Sequence, residues 1–193
     1  KGKTALDLGA APGGKTLQLS AAGAKVTAVD ISQRRLKLLE ENLKRTGLKA
    51  DVQAVDAFEL DTQRYDVIVL DAPCSATGTM RRHPDLQYAK DGTEFGALID
   101  LQESLLNHAL TLLAPEGRLA YCTCSLLPDE GEVQVETALE QNADFEVDPE
   151  MFNFASVQCD WFIENLGLRL RPDYLASEGG MDGFFVSVLR RKA

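Results

Sequence analysis

The chain has 193 residues, 45% hydrophobic and 26% charged, which allows one domain with a sizeable apolar core and excludes a disordered chain. Its 30 acidic against 20 basic residues give a formal net charge of −10, which excludes generic electrostatic attraction to nucleic acid unless a local basic patch or a second module provides it. The apolar runs are of strand length and no charged-then-apolar leader opens the chain, so a soluble, cytoplasmic protein without membrane contact is expected.

Thr4 to Leu8 reads as a short buried strand, followed by the glycine-rich turn "GAAPGGK" and a helix to about Gly23. "KVTAVD" is a second strand ending in Asp30. Ser32 can cap the next helix, where Leu36, Leu39 and Leu43 recur at helical spacing before Gly47 stops it. "ADVQAVD" is expected to be a third strand ending in Asp56, and "YDVIVLD" a fourth ending in Asp71, apolar enough to be covered on both faces. Leu98, Leu101, Leu105, Ala109 and Leu112 mark an amphipathic helix that ends near "APEG" and leads into a fifth strand, "GRLAYCTC". After Pro128 a helix runs to about Asn142, and "GGMDGFFVSVLRRK" supplies a last strand. Alternating strands and helices with short connections predict a doubly wound α/β fold, a mostly parallel sheet with helices on both faces and a final antiparallel strand. The first residue is Lys1 rather than Met and the first strand starts almost at once, so a catalytic domain over 1–193, cut from a longer protein, is expected.

In such a sheet ligands bind beyond the carboxyl ends of the strands, where the strand order reverses, and the polar residues of interest collect there. "GAAPGGK" opens a helix whose N-terminus favours an anion, and Asp30 follows Gly9 by 21 residues, a position from which an acid can hold ribose hydroxyls. The turn spells neither GxGxxG nor GxxxxGK[ST], so a nucleoside cofactor with a carboxylate and no phosphates fits better than a dinucleotide or a nucleoside triphosphate. Asp56 and Asp71 end the third and fourth strands; either alone could be a plain turn acid, but three consecutive strands ending in Asp are harder to attribute to turn chemistry.

The four cysteines, at 74, 122, 124 and 159, form no paired CxxC knuckle with each other or with the two histidines, so no metal site is expected. They are expected to be free thiols, and the simplest role for each is a small buried apolar residue, which suits Cys159 best. With strands four and five adjacent, Cys74 and Cys124 both lie just past strand ends and can face one pocket, while Cys122 sits deeper as packing. A carboxylate close by raises a thiol pKa unless the acid is protonated or a cation intervenes.

"DLGAAPGGKT", "DAPCSATGTMRRHPD", "YCTCS" and "DGFF", in this order over most of the chain, together resemble the RNA cytosine-5 methyltransferase family, and within it the bacterial small-subunit ribosomal RNA enzymes. One departure is Gly9, where many relatives carry Cys; the loop supplies backbone shape, which glycine preserves. The resemblance implies a class I methyltransferase fold and S-adenosyl-L-methionine as donor, leaving as S-adenosyl-L-homocysteine. Gly9, Ala10, Ala11, Pro12, Gly13, Gly14 and Lys15 would hold the donor, with Asp30 on its ribose, Asp56 near its adenine, Asp71 between donor and target base, and Arg35 counted with them. The resemblance also implies that Cys124 is the nucleophile and that Cys74 helps release the product; local chemistry does not choose between the two thiols. It further implies an RNA-binding module upstream of these residues; a monomer is expected.

Carbon 5 of cytosine is a poor nucleophile, and thiolate attack at carbon 6 removes the aromaticity that makes it so. A base acted on by an enzyme must arrive unstacked. Arg81, Arg82, His83 and Lys90 form the local basic patch that the net charge lacks, although a solvated loop is the simpler reading. A transfer RNA substrate stays open. So does an amino-group methyltransferase, although "DAPC" has a thiol where that chemistry uses an aromatic residue, and so does an RNA-binding scaffold without turnover.

Overall fold

The computed structural model describes residues 1–60, 63–89, 92–153 and 157–192. In chain order the elements are β1 (Thr4–Leu8), α1 (Gly14–Ala21), β2 (Lys25–Val29), α2 (Gln33–Thr46), β3 (Asp51–Gln53), β4 (Tyr65–Asp71), α3 (Leu86–Ala89), α4 (Phe95–Thr111), β5 (Leu113–Thr123), α5 (Glu132–Gln141), β6 (Phe145–Val147), β7 (Phe162–Ile163), β8 (Gly167–Leu170) and β9 (Phe184–Arg191). They fall into two compact units, residues 1–72 with 107–120 and residues 73–106 with 121–193.

In the first unit the strands lie in the order β3, β2, β1, β4, β5. β1 pairs in parallel with β2 on one side and β4 on the other, Ala5 standing opposite both Val26 and Val67. The strand order therefore reverses between β1 and β4, which makes the ends of these two strands the expected ligand position. The last four residues of β1 and of β2 are buried, as strands covered on both faces must be. Ser32 caps α2 by accepting the Arg35 N–H at 3.3 Å, and Gly47 ends it in the left-handed region at φ 71°. Leu36, Leu39 and Leu43 pack with Ala28 and with Ala10 and Ala11 of the glycine-rich turn, each buried leucine contributing about 1.5–3 kcal/mol.

In the second unit β5 continues, followed in strand order by β9, β8 and β7. β9 pairs antiparallel with both β8 and β6, and β8 with β7. The fold is thus the doubly wound α/β architecture expected, but its antiparallel part is a group of strands rather than one. β6, β7 and β8 have four residues or fewer, too short for an alternating pattern to register.

Other expectations are corrected. β3 stops at Gln53, so Asp56 is not its last residue; it caps a 3-10 turn at Ala57–Glu59, accepting the Phe58 N–H at 3.0 Å. A side chain that bonds the backbone two residues on competes with strand pairing. Leu101 is exposed and the neighbouring Gln102 is fully buried, because the Gln102 amide finds partners inside. β5 begins at Leu113 and runs through "APEG", drawn alongside β4 from the start by a bond from the Tyr65 N–H to the Leu112 carbonyl at 3.0 Å. Cys159, expected to be buried, is exposed: it opens a 3-10 turn, Cys159–Trp161, whose buried position is taken by Trp161. Among the described residues no helix is long and apolar enough to cross a membrane.

Candidate active site

The first unit builds a cradle from the turn after β1. Gly9 sits at φ 76°, its N–H bonded to the Val29 carbonyl at 3.0 Å, and a Cβ there would stand 2.7 Å from the Asp71 carbonyl oxygen. Gly13, at φ 111°, is the N-cap of α1, with no side chain capping the helix and Leu39 pressed against it. Gly13 needs glycine for its left-handed conformation and its contact with Leu39, and a side chain at Gly9 would require the backbone of this turn to shift. Ala10 and Ala11 are buried in the α2 core, so they present only backbone to a ligand, whereas Gly9, Pro12 and Gly14 are exposed. A Cβ on Gly14 would meet nothing within 4 Å, which leaves the first turn of α1 open to an anion.

Asp30 is tied to this turn. Its Oδ2 accepts the Ala11 N–H at 3.2 Å and its Oδ1 the Ser32 N–H at 2.9 Å. Arg35 closes the arrangement, with Nη1 3.3 Å from Asp30 Oδ2 and Nη2 donating to the Ala11 carbonyl at 2.6 Å. Lys15 Nζ lies 2.5 Å from Asp71 Oδ2, so a cation stands on the acid that ends β4. Beneath them Asp7 is fully buried, accepting the Thr16 hydroxyl at 2.5 Å on Oδ2. Burial pushes its carboxyl up to about 6, against the Thr16 hydrogen bond and the Lys15 charge. Ile31 follows Asp30 and is 77% exposed, an apolar side chain in solvent that composition and periodicity did not single out.

The second unit holds the thiols. Cys74 and Cys124 place their sulfurs 3.6 Å apart, while Cys122 is buried as expected. The hydrogen bond with Cys124, then burial, push the Cys74 thiol far above its usual value. The Gly78 N–H donates to the Cys124 carbonyl at 2.9 Å and the Gly183 N–H to the Gly78 carbonyl at 2.8 Å, which brings three of the quoted motifs together.

Behind the thiols lies a polar cluster with no local sequence signal. Glu130 accepts from the Ser75 N–H, the Ser75 hydroxyl and Gln102 Nε2, and the Ser75 and Ser125 hydroxyls are 3.2 Å apart. Ser75 and Ser125 each directly follow a cysteine. In the basic loop Arg81, Arg82 and His83 are exposed, but Asp182 holds Arg82 at 2.6 Å and Arg81 at 4.0 Å. Lys90 lies outside the described residues. Among the described residues no group of three or more potential metal ligands gathers.

The profile of the family described as 16S rRNA methyltransferase RsmB/F matches residues 1–190. The chain is 38% identical to Ribosomal RNA small subunit methyltransferase B of Pasteurella multocida, over 98% of this chain and 43% of the relative. To the protein of the same name from Cronobacter sakazakii it is 40% identical, over 99% of this chain and 43% of the relative. The chain thus spans less than half the length of these curated relatives. Among solved structures it resembles NSun6 from Pyrococcus horikoshii with SFG at a TM-score of 0.82 and 29% identity, covering 98% of this chain and 48% of the other. A methyltransferase homolog from the same organism gives 0.75 and 30%, covering 99% and 62%. Matched by that profile over residues 1–190, nearly its whole length, the chain belongs to the 16S rRNA methyltransferase RsmB/F family.

Proposed function

We propose that this chain is the catalytic part of an enzyme that transfers a methyl group from S-adenosyl-L-methionine to carbon 5 of a cytosine in RNA, with small-subunit ribosomal RNA as substrate. The observation that carries the reading is the 3.6 Å separation of the Cys74 and Cys124 sulfurs, because this chemistry needs a thiol nucleophile, which amino-group transfer does not, and the resemblance gives the second thiol to product release. The names of the curated relatives support the ribosomal substrate. Since those relatives are much longer, we assign part of the RNA recognition to segments outside the matched region.

The cradle of the first unit fits such a donor. The uncapped N-terminus of α1 suits its carboxylate, the open space over Gly14 admits its chain, and Asp30 retains acceptor capacity for ribose hydroxyls. Ile31 and Phe58, both exposed, and Asp56 suit a purine. When bound, the donor supplies a methyl group on a positively charged sulfur.

Cys124 attacks carbon 6 as a thiolate, forming a C–S bond and pushing electron density to carbon 5 and ring nitrogen 3. The charge that develops at nitrogen 3 takes a hydrogen bond or proton, a role for which the resemblance offers Asp71. Cys74 keeps its proton while Cys124 is anionic. Once Cys124 is bound to carbon 6 that charge is gone, and Cys74 can release its proton to solvent. Its thiolate then takes the proton from methylated carbon 5, the C–S bond breaks, nitrogen 3 returns any proton it has taken to the group that supplied it, and Cys124 leaves as a thiolate. The net change is one proton released for each methyl group transferred.

The test uses the full-length protein with S-adenosyl-L-methionine and RNA. Cys124→Ala is expected to give neither 5-methylcytosine nor a covalent RNA adduct, and Cys74→Ala to accumulate an adduct it cannot resolve. Normal 5-methylcytosine formation by Cys124→Ala refutes the nucleophile assignment; a protein that forms no adduct in any version while methylating amino groups refutes the reaction.

A further inference from the structure

We propose that Glu130 is a positioning residue that clamps the two cysteine-bearing loops of the second unit and so sets the separation of Cys74 and Cys124. Its consequence for catalysis rests on the two-thiol reaction proposed above; its geometry does not.

Glu130 lies in the 3-10 turn Pro128–Glu130 after β5 and is 0% exposed. Its Oε1 accepts the Ser75 N–H at 2.8 Å and Gln102 Nε2 at 3.0 Å, and its Oε2 accepts the Ser75 hydroxyl at 2.5 Å. Ser75 directly follows Cys74. The Ser75 hydroxyl meets that of Ser125, which directly follows Cys124, at 3.2 Å. Gln102 completes the first loop by donating to the Pro73 carbonyl at 2.8 Å, on the other side of Cys74. The backbone carbonyl of Glu130 accepts the Tyr121 hydroxyl at 2.9 Å and the Thr123 hydroxyl at 3.1 Å, both from the stretch of β5 that delivers Cys124. One residue thus grips both loops, by side chain and by main chain.

The chemistry of the side chain explains why a carboxylate stands there. A buried acid is costly unless its lone pairs are filled, and packing alone would be served by Leu or Met. A carboxylate accepts at both oxygens, whereas an amide of the same size accepts at one and must donate at the other, facing donors. Burial opposes the charge of Glu130, but hydrogen bonds from Ser125, Ser75 and Gln102 outweigh it and hold the carboxyl below its usual range. The clamp therefore stays an acceptor while a thiol proton moves nearby.

The experiment measures the thiols directly, in the full-length protein with every cysteine other than Cys74 and Cys124 replaced, Cys122→Ala and Cys159→Ser among them, so that only the pair reports. Equilibration with glutathione disulfide oxidises Cys74 and Cys124 to a disulfide while the glutathione disulfide is reduced to two thiols, and the equilibrium gives the effective concentration of one sulfur at the other. Glu130→Gln is expected to lower it by about tenfold or more and to lower kcat for methylation with KM for S-adenosyl-L-methionine unchanged. An effective concentration equal to that of the parent overturns the clamp. Should Glu130→Gln fail to fold, Ser75→Ala carries the same test, since it removes one donor from the same carboxylate, and an unchanged value there also overturns it. A thiol equilibrium that responds to Glu130 in a protein that methylates nothing supports the clamp and removes only the reaction.

Discussion

Gly78 and Gly183 meet backbone to backbone: the Gly183 N–H donates to the Gly78 carbonyl at 2.8 Å, and a Cβ on Gly78 would stand 2.2 Å from the Gly183 carbonyl oxygen and 2.8 Å from that of Cys124. No rotamer relieves such a clash, because every atom involved is main chain. Gly78→Ala is therefore expected to destabilise the protein by about 1–3 kcal/mol in urea unfolding and to abolish formation of a covalent RNA adduct by displacing Cys124. A variant with unchanged midpoint and normal adduct yield would count against this account of the loop.

Arg35 holds the glycine-rich turn rather than the core. Its side chain is more than half exposed, so its ion pair with Asp30 contributes little to stability, but its 2.6 Å bond to the Ala11 carbonyl fixes the shape of the cradle. Arg35→Ala should raise KM for S-adenosyl-L-methionine by about tenfold while kcat stays within about twofold, as steady-state kinetics would show. A fall in kcat at constant KM would place Arg35 in the chemical step instead.

Asp7 makes stability depend on pH in the direction opposite to a salt-bridged acid. Its carboxyl is raised from 3.8 to about 6 in the folded protein, chiefly by burial, so between these values the folded state holds a proton that the unfolded chain has released. Its contribution to stability therefore falls as pH rises from about 4 to 6, by up to about 3 kcal/mol. Asp7→Asn removes this dependence, and the difference in unfolding free energy between variant and parent should shift towards the variant across that window and be flat above it. A difference independent of pH would show that Asp7 does not titrate there.

Asp182 sets how much positive charge the loop after β4 presents. It lies 2.6 Å from Arg82 and 4.0 Å from Arg81, so its removal should strengthen RNA binding, while Arg82→Ala should weaken it and reduce the slope of log affinity against log salt by about one. Fluorescence titrations at several salt concentrations test both. Equal slopes for all three proteins would remove this loop from the RNA interface.

Much of this molecule is written locally. The Ser32 cap, the left-handed Gly47, the leucines of α2 and the apolar β4 follow from residues a few positions apart, and each stands where spacing placed it. Cys74 and Cys124 could be put at neighbouring strand ends for the same reason, since the alternation of strands and helices dictates which ends face one way. The short β6, β7 and β8 fell below the length at which periodicity speaks, and Leu101 and Gln102 exchanged roles because helical spacing marks a face by its apolar residues and cannot see a buried amide with partners.

The residue types and their order determined the fold class, the family and which two of the four cysteines lie together. Tertiary structure alone decided that Glu130 reaches the neighbours of both cysteines, that Arg35 grips the glycine-rich turn, and that Asp182 shares its charge with the two arginines. The pairings of Ser75 with Glu130, Ala11 with Arg35 and Arg82 with Asp182 join residues 24 to 100 positions apart, and a side chain hydrogen-bonded at that distance leaves no periodic mark in the chain; its partner is set only when packing has brought the two segments together.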